Sequence, residues 1–451
     1  MDAPTAEPSP KEQTAGSSRP DRFTLSRGIE QRTFRQAAFA SAGEGLTQGL
    51  MSLNAYVAIK SMGALEAGYE REVATLITML PSVAMLFATA YDAGPAVRGK
   101  RGYFLFAAGL GRMVFILVPL IVLLPGISQT FAFVALVAFS AVICAGIPPA
   151  LNQLWGANYI PASRGRRFAW NSSLSMLMVM TGAFVAGRFL DSEPVIAGYG
   201  NHVILYPIAA VSGALALLGF HAIRMRYAHA APVRERGFFA RLKDSYGRAW
   251  SLLKNDKHFR AYELGFFIYG IAFMMMMPAI PVLFASYLQA DYGEFTRATV
   301  VTTQLTLMVM APVVAWLSIG RRVTLVTAAA FSSLAVFPVM MMVAVYTRNV
   351  MFAYVAFVVF GLAMSGVHFV WNLGALAFAR QSNSLAYTST HAAMVGLRAL
   401  VGFPLGYVLM KLFENTLLPV FVTASCMLLI ATVVILRLDR RMVSQGLNPI
   451  A

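Results

Sequence analysis

Between residues 224 and 260 the chain reads RMRYAHAAPVRERGFFARLKDSYGRAWSLLKNDKHFR, a basic, polar stretch in an otherwise almost continuously apolar polypeptide. It divides the hydrophobic mass into two parts of similar length, and the parts resemble each other. Phe34-Arg35 opens the first and Phe259-Arg260 the second, with Gly45 and Gly270 following at matching distances. Deeper in, NQLWGANY around Trp155 and HFVWNLGA around Trp371 occupy corresponding places, each followed by a polar turn and then Ala169-Trp170 or Ala386-Tyr387. Two similar halves on either side of a basic linker predict a duplicated membrane protein.

Composition agrees. Of 451 residues, 58% are hydrophobic and 12% charged, a balance that excludes an ordinary soluble globular protein. A net charge of +16 would suggest a nucleic-acid partner in a soluble chain, but here the cations sit in short loops between apolar runs, where membrane topology accounts for them. Cys144 and Cys426 lie inside apolar stretches with no CxxC or Cys/His spacing and read as small packing residues. There is no Gly-rich phosphate cradle, no HExxH and no separate catalytic domain, so neither an enzyme nor an ATP-driven pump is expected, and no cofactor.

In order along the chain, residues 1–33, rich in Pro, Ser, Glu and Arg, read as a disordered cytoplasmic tail without a cleavable signal. Apolar runs long enough to cross about 30 Å of hydrocarbon fall near 37–61, 73–91, 103–124, 130–154, 168–190 and 202–223, and then near 261–288, 299–318, 323–346, 351–377, 386–410 and 416–437. The expected fold is therefore an all-α membrane protein of twelve transmembrane helices in two pseudo-symmetric six-helix bundles, 34–223 and 261–440, with a linker at 224–260 and a tail at 441–451. Loops after even-numbered spans are basic, as in RGKR at 98–101 and RLDRR at 437–441, whereas Glu66, Glu70, Asp191, Glu193, Asp291 and Glu294 fall on the other side. Only Arg348 runs against the trend. The positive-inside rule then puts both chain ends in the cytoplasm, in the inner membrane of a cell. Within the linker, Phe239, Leu242, Tyr246, Trp250 and Leu253 recur at helical spacing while Arg241, Lys243, Arg248 and Lys254 face elsewhere. That pattern predicts an amphipathic helix on the inner membrane surface, tethering the halves and meeting anionic lipid.

Polar residues inside spans carry the functional signal, because an ionisable group there costs roughly 2.5–3.5 kcal/mol and is retained where it faces protein or a wet cavity. Glu44, Thr47, Gln48, Met51 and Asn54 share one face of the first span; Asn152, Trp155 and Tyr159 share one of the fourth. The tenth groups Met364, Ser365, His368, Trp371 and Asn372, and the eleventh Tyr387, Thr388, His391, Met394 and Arg398. One-sided polar stripes on four helices imply a shared aqueous cavity. Glu44, His368 and His391 fall very roughly 7–12 Å from the cytoplasmic edge and are the proton-coupling candidates, with Glu44 expected close to the histidines. Gln48, Asn54, Asn152, Trp155, His368, Trp371, Asn372 and Arg398 are the substrate-binding candidates, Arg398 either holding an anionic group or pairing with an acid. Arg112 is unexpected at mid-depth. Glu263 and His202, near span ends, read as capping or solvated groups.

The pattern resembles the major facilitator superfamily over residues 34–440. Six plus six spans flank a long basic loop, and PASRGRR at 161–167 is similar to that superfamily's Arg-Gly-Arg turn between its fourth and fifth helices. The family's loop after helix two, G-x-x-x-D-R-x-G-R-R, is matched in part: Asp92 and the Arg98-Gly99-Lys100-Arg101 cluster are present, AGPAV intervenes and the leading glycine is missing. TGAFVAGRF at 181–189 has the glycines of the drug-antiporter helix without its proline, while GFPLG at 402–406 has one. The resemblance implies a rocker-switch transporter whose first, fourth, seventh and tenth helices line the site and whose second, fifth, eighth and eleventh form the interface between halves. It adds Tyr269 to the substrate-binding candidates and makes Asp92, Arg98, Arg101, Arg164 and Arg166 gating-loop residues.

The expected function is secondary active transport of a small organic solute by alternating access, coupled to protons and carried out by a monomer in the lipid bilayer. An apolar wall of Tyr269 and Met274 to Met277 suits an amphiphilic solute. Two alternatives stay open. Met276, His391 and Met394 offer soft ligands for copper uptake, although methionine is also a common filler of irregular packing. A non-transporting scaffold or assembly factor on the same fold is the other.

Overall fold

Apolar composition alone forms most of the bundle. A computed structural model describes residues 26–92, 97–159, 161–224, 238–379 and 384–447. Among these, eleven helical segments are long and apolar enough to cross a bilayer. The second span is Glu70–Asp92; the third runs from Val97–Phe106 to Val118–Ile121; the fourth joins Ser128–Cys144 to Ile147–Asn158; the fifth is Pro161–Asp191 and the sixth His202–Ala222. After the linker helix Phe238–Asn255, the seventh span continues from Lys257–Met276 into Leu283–Tyr287 and the eighth from Tyr292–Thr296 into Thr302–Ser318. Val323–Thr347, Val350–Leu373, Ser384–Leu412 and Leu418–Ser444 complete the set. Prolines 81, 207, 312, 338 and 404 lie inside these helices, tolerated because neighbouring helices and local 3-10 or π turns reabsorb the freed backbone groups.

The first span is the exception to the hydropathy rule. It consists of Ser26–Leu50 and Asn54–Ser61, interrupted at 51–53, and it is too polar to qualify as a membrane crossing by composition. Protein covers its inner side, where it packs along the fifth and sixth spans, while Phe39 stays exposed. Its helix also begins earlier than expected. Residues 26–33 are helical, with Glu30 and Thr33 buried, so the tail read as 1–33 is shortened at its end, and its remainder lies outside the described residues.

Helix pairs in a membrane gain little from hydrophobicity and rely on close contact between small residues. A Cβ on Gly49 would sit 2.2 Å from the Val179 carbonyl oxygen, and one on Gly182 2.5 Å from that of Leu46, so the first and fifth spans touch backbone to backbone. The other half repeats the device between the eleventh and seventh spans, where a Cβ on Gly406 would lie 2.2 Å from the Met275 carbonyl oxygen. Gly182 of TGAFVAGRF and the glycines of GFPLG thus serve the same packing within each half, while Gly187 meets Tyr292, Gly293 and Thr296 of the eighth span across the halves. Across the halves, the second span lies on the eleventh and the fifth on the eighth.

Two ends of the bundle differ. At the end away from the linker, the far face, the Tyr56 hydroxyl and the Lys60 ammonium both donate to the Ala290 carbonyl at 2.7 Å, and Ser61 bonds Tyr292. Asp191 accepts from the backbone N–H of Tyr292 at 2.9 Å and of Gly293 at 2.6 Å, while the Tyr56 ring stacks on Phe295 at 4.1 Å. Glu72 accepts from Tyr407 at 3.0 Å and Lys411 at 3.4 Å. At the linker face, among the described residues, the bridging is done by the linker helix, whose Tyr246 hydroxyl donates to the Leu86 carbonyl at 3.2 Å. The halves are latched at the far face.

Candidate functional site

Among the described residues, each half holds a buried acid–base cluster inside its spans, built by different means. In the first half the third span leaves α geometry where it delivers Arg112: Ala107–Arg112 is a π-helix and Met113–Leu117 a 3-10 helix. Such a bulge re-aims side chains and is frequent at functional sites. The sixth span makes room at Gly213, where a Cβ would lie 3.0 Å from Arg112 Cδ, and the guanidinium reaches Glu44 Oε1 as an ion pair. Gln48, one turn along the first span, donates to the same oxygen at 3.3 Å. Glu44 is 6% exposed, yet its Oε2 has no hydrogen-bond partner among the described residues.

In the second half Glu263 on the seventh span binds two partners from the eleventh. Its Oε1 lies 2.5 Å from His391 Nδ1 and its Oε2 accepts from Arg398 at 3.1 Å. His391 and Arg398 are seven residues apart, two turns of one helix, and so share a face. All three are 1–2% exposed. Gly270 creates the space: a Cβ there would lie 2.3 Å from Arg398 Cδ. The Arg398 guanidinium sits 5.7 Å from the Phe266 ring centre and 5.6 Å from that of Trp371, an arrangement in which the ring faces help solvate the cation. The imidazole is clamped edge-on by Phe266 at 4.7 Å and lies 4.2 Å from Trp371, and His391 Nε2 has no partner among the described residues.

Several expected site residues come together and others do not. Glu44 and Gln48 cluster, but around Arg112 instead of around a histidine, because Arg112 reaches Glu44 first. His391, Trp371 and Arg398 cluster around Glu263, which is no helix cap: the seventh helix starts at Lys257, so Glu263 lies six residues inside it, about 9 Å at 1.5 Å per residue. Gln48, Asn152, His368 and Asn372 are exposed, the last donating to the His368 carbonyl at 2.8 Å. Asn54 accepts from the Tyr206 hydroxyl at 3.0 Å, which ties the first span to the sixth. Trp155 stacks on Tyr159 at 5.5 Å and meets Phe220 edge-on, a packed position. Tyr269 is 5% exposed and stacks on Phe331 at 4.5 Å. Met276 is fully buried, and among the described residues no group of three or more His, Cys, Asp or Glu is placed to hold a metal. Arg166 is exposed, while the side chains of Asp92, Arg98, Arg101 and Arg164 lie outside the described residues. The cluster residue missed was Glu263; its seven-residue spacing from Gly270, the two sharing the face that receives Arg398, was the available signal.

Two six-helix bundles latched at one end, with ionisable clusters buried in each, define a membrane transporter fold. The family model of the Major Facilitator Superfamily matches residues 38–386, and the chain belongs to that superfamily. Solved structures of similar fold include a bacterial homolog of the human lysosomal transporter Spinster, inward-facing and unoccupied, at 11% identity with TM-score 0.63, covering 93% of this chain and 98% of that one. The xylose transporter XylE from E. coli, inward open, is 10% identical with TM-score 0.65, covering 90% and 96%. A POT family transporter in complex with a thioalcohol-conjugated peptide is 13% identical with TM-score 0.67, covering 91% and 96%. No curated protein sequence matches the chain at a significant level.

Proposed function

We propose that this protein is a proton-coupled secondary transporter of a small organic solute, working by alternating access as a monomer. It sits in the cytoplasmic (inner) membrane with both chain ends and the linker in the cytoplasm, and the latched far face then makes this the inward-facing state. The observation that carries the reading is the pair of buried clusters, Glu44 with Arg112 and Glu263 with His391 and Arg398. A carboxylate kept at this depth is costly and is held charged only by its cation. Protonation loosens the pair, so the proton's arrival and the partner's release become one event. Glu44 is the coupling residue nearest the exposed Gln48, and its unpartnered Oε2 is where a proton would sit. His391 and Glu263 form the second relay. Solute contacts fall to the exposed polar positions Gln48, Asn152, His368 and Asn372, with Trp371 as the aromatic wall.

Similarity to sugar, peptide and nucleoside transporters supports a small-molecule cargo and leaves its class open. A thermal-shift screen of sugars, nucleosides, peptides and amphiphilic organic acids on purified protein tests the reading, since a ligand that binds only the folded state raises its unfolding temperature. The expected result is a stabilising hit that Gln48→Ala weakens and that exchanges across proteoliposomes. A hit that binds but never crosses the bilayer would contradict transport.

A further inference from the structure

We infer that the linker helix Phe238–Asn255 carries a binding site for anionic phospholipid headgroups. Position comes first. The helix packs against Leu86, near the end of the second span, and against Ser389 and Thr390, in the first turns of the eleventh span's apolar segment. Those contacts hold it at the edge of the hydrocarbon layer, the depth of lipid headgroups.

Its faces are divided accordingly. Ala249 is buried, and Leu242, Tyr246 and Leu253 are part-buried on the same side, toward the spans. Phe239 is 79% and Trp250 73% exposed, and at 100° per residue they share one strip with the exposed Lys243 and Lys254. The periodicity grouped all five large apolar residues on one face of a helix on the membrane surface; the fold turns Leu242, Tyr246 and Leu253 toward the spans and leaves the two aromatics exposed beside the lysines. Aromatic rings interleaved with lysines are the composition that seats a helix in an interface bearing anionic lipid. Asp244 is the helix's one carboxylate against four cations, and Lys257 and Arg260, both exposed, extend the positive charge.

On the other flank of the helix, about half a turn from the lysine strip, lies a small cleft. Ser245, Arg248 and Ala249 from the linker helix and Ser389 and Thr390 from the eleventh span enclose a cleft of about 30 Å³, room for a water or one phosphate oxygen. The Asp256 carboxylate caps the next helix and accepts from Tyr387 at 2.7 Å, which fixes the linker helix to the eleventh span beside the cleft.

Native mass spectrometry of the full chain, released from vesicles of equal parts phosphatidylethanolamine and phosphatidylglycerol, tests the site. The wild-type protein should retain phosphatidylglycerol preferentially, and Lys243→Gln/Arg248→Gln/Lys254→Gln should cut that preference about tenfold or more. Unchanged preference in the variant overturns the proposal, as does loss of retained lipid when inorganic phosphate is added, which would mark a site for the free anion. Independently of any variant, amide hydrogen exchange of residues 238–255 in the wild-type chain should slow in phosphatidylglycerol nanodiscs relative to phosphatidylcholine nanodiscs. Equal exchange in both contradicts the site.

Discussion

Glu263 shows how one side chain can set the stability of a half. Replacing it with alanine strands Arg398 in a place with almost no solvent, and breaking a buried pair from one side costs about 3–5 kcal/mol. Glu263→Ala should therefore lower the thermal unfolding temperature in detergent steeply, whereas Glu263→Ala combined with Arg398→Met should recover much of the loss; a double variant no more stable than the single would show that the charge pairing is not the cause. Gly270→Ala places a methyl on Arg398 Cδ and is expected to destabilise by about 1–3 kcal/mol through overpacking, read in the same assay. Glu44→Gln is different in kind: Gln48 and Arg112 retain an acceptor, so the fold should persist. In proteoliposomes loaded with a solute from the screen, it should abolish accumulation driven by a pH gradient and leave solute exchange intact. Full gradient coupling in that variant removes Glu44 from the proton path. These residues were only half legible beforehand. Glu44 and Arg398 stood out as charges in apolar runs, but a partner on another span leaves no mark in local periodicity, and the early start of the seventh helix hid the depth of Glu263.

At the scale of elements, the far-face latch joins the end of the fifth span to the start of the eighth through one carboxylate and two backbone amides. Charge-assisted bonds of this sort are worth about 1.5–3 kcal/mol each where water is excluded, and Asp191 is exposed, so the lower figure applies. Asp191→Ala should raise the reaction of a cysteine placed at Ser61 with an impermeant maleimide applied from the far side, because the latch would open more often. Reaction no faster than in the Ser61→Cys parent would show that the latch does not hold the face shut. Hydropathy located these spans well, since length and apolar content are properties of contiguous sequence. It put the first span near 37–61, past its start at Ser26, because the polar opening turns are compensated by the fifth and sixth spans, and it could not place the breaks at 51–53 and 107–117, which answer to tertiary contacts. Glycine was informative when read as a site of close approach: Gly182 and Gly406 mark equivalent helix crossings in the two halves.

For the whole molecule, the two-fold repeat legible in Phe34-Arg35 and Phe259-Arg260 predicts the architecture, and the family match and the solved transporters agree with it. What repetition could not convey is asymmetry. Glu44 lies ten residues beyond its opening phenylalanine and Glu263 only four beyond the other, so the buried acids sit at different depths, one near each half's own arginine. On the proton-coupled reading proposed above, halves alike in frame and unlike in charge can respond differently to one proton, while the direction of net transport is set by the gradients across the membrane. Distances between paired spin labels test alternating access most directly: one pair across the far face at Glu193→Cys and Glu414→Cys, another across the linker face at Arg224→Cys and Arg321→Cys. With solute bound or at acid pH, a second population should appear in which the far-face distance lengthens while the linker-face distance shortens. Two distances that stay fixed in every condition would contradict alternating access.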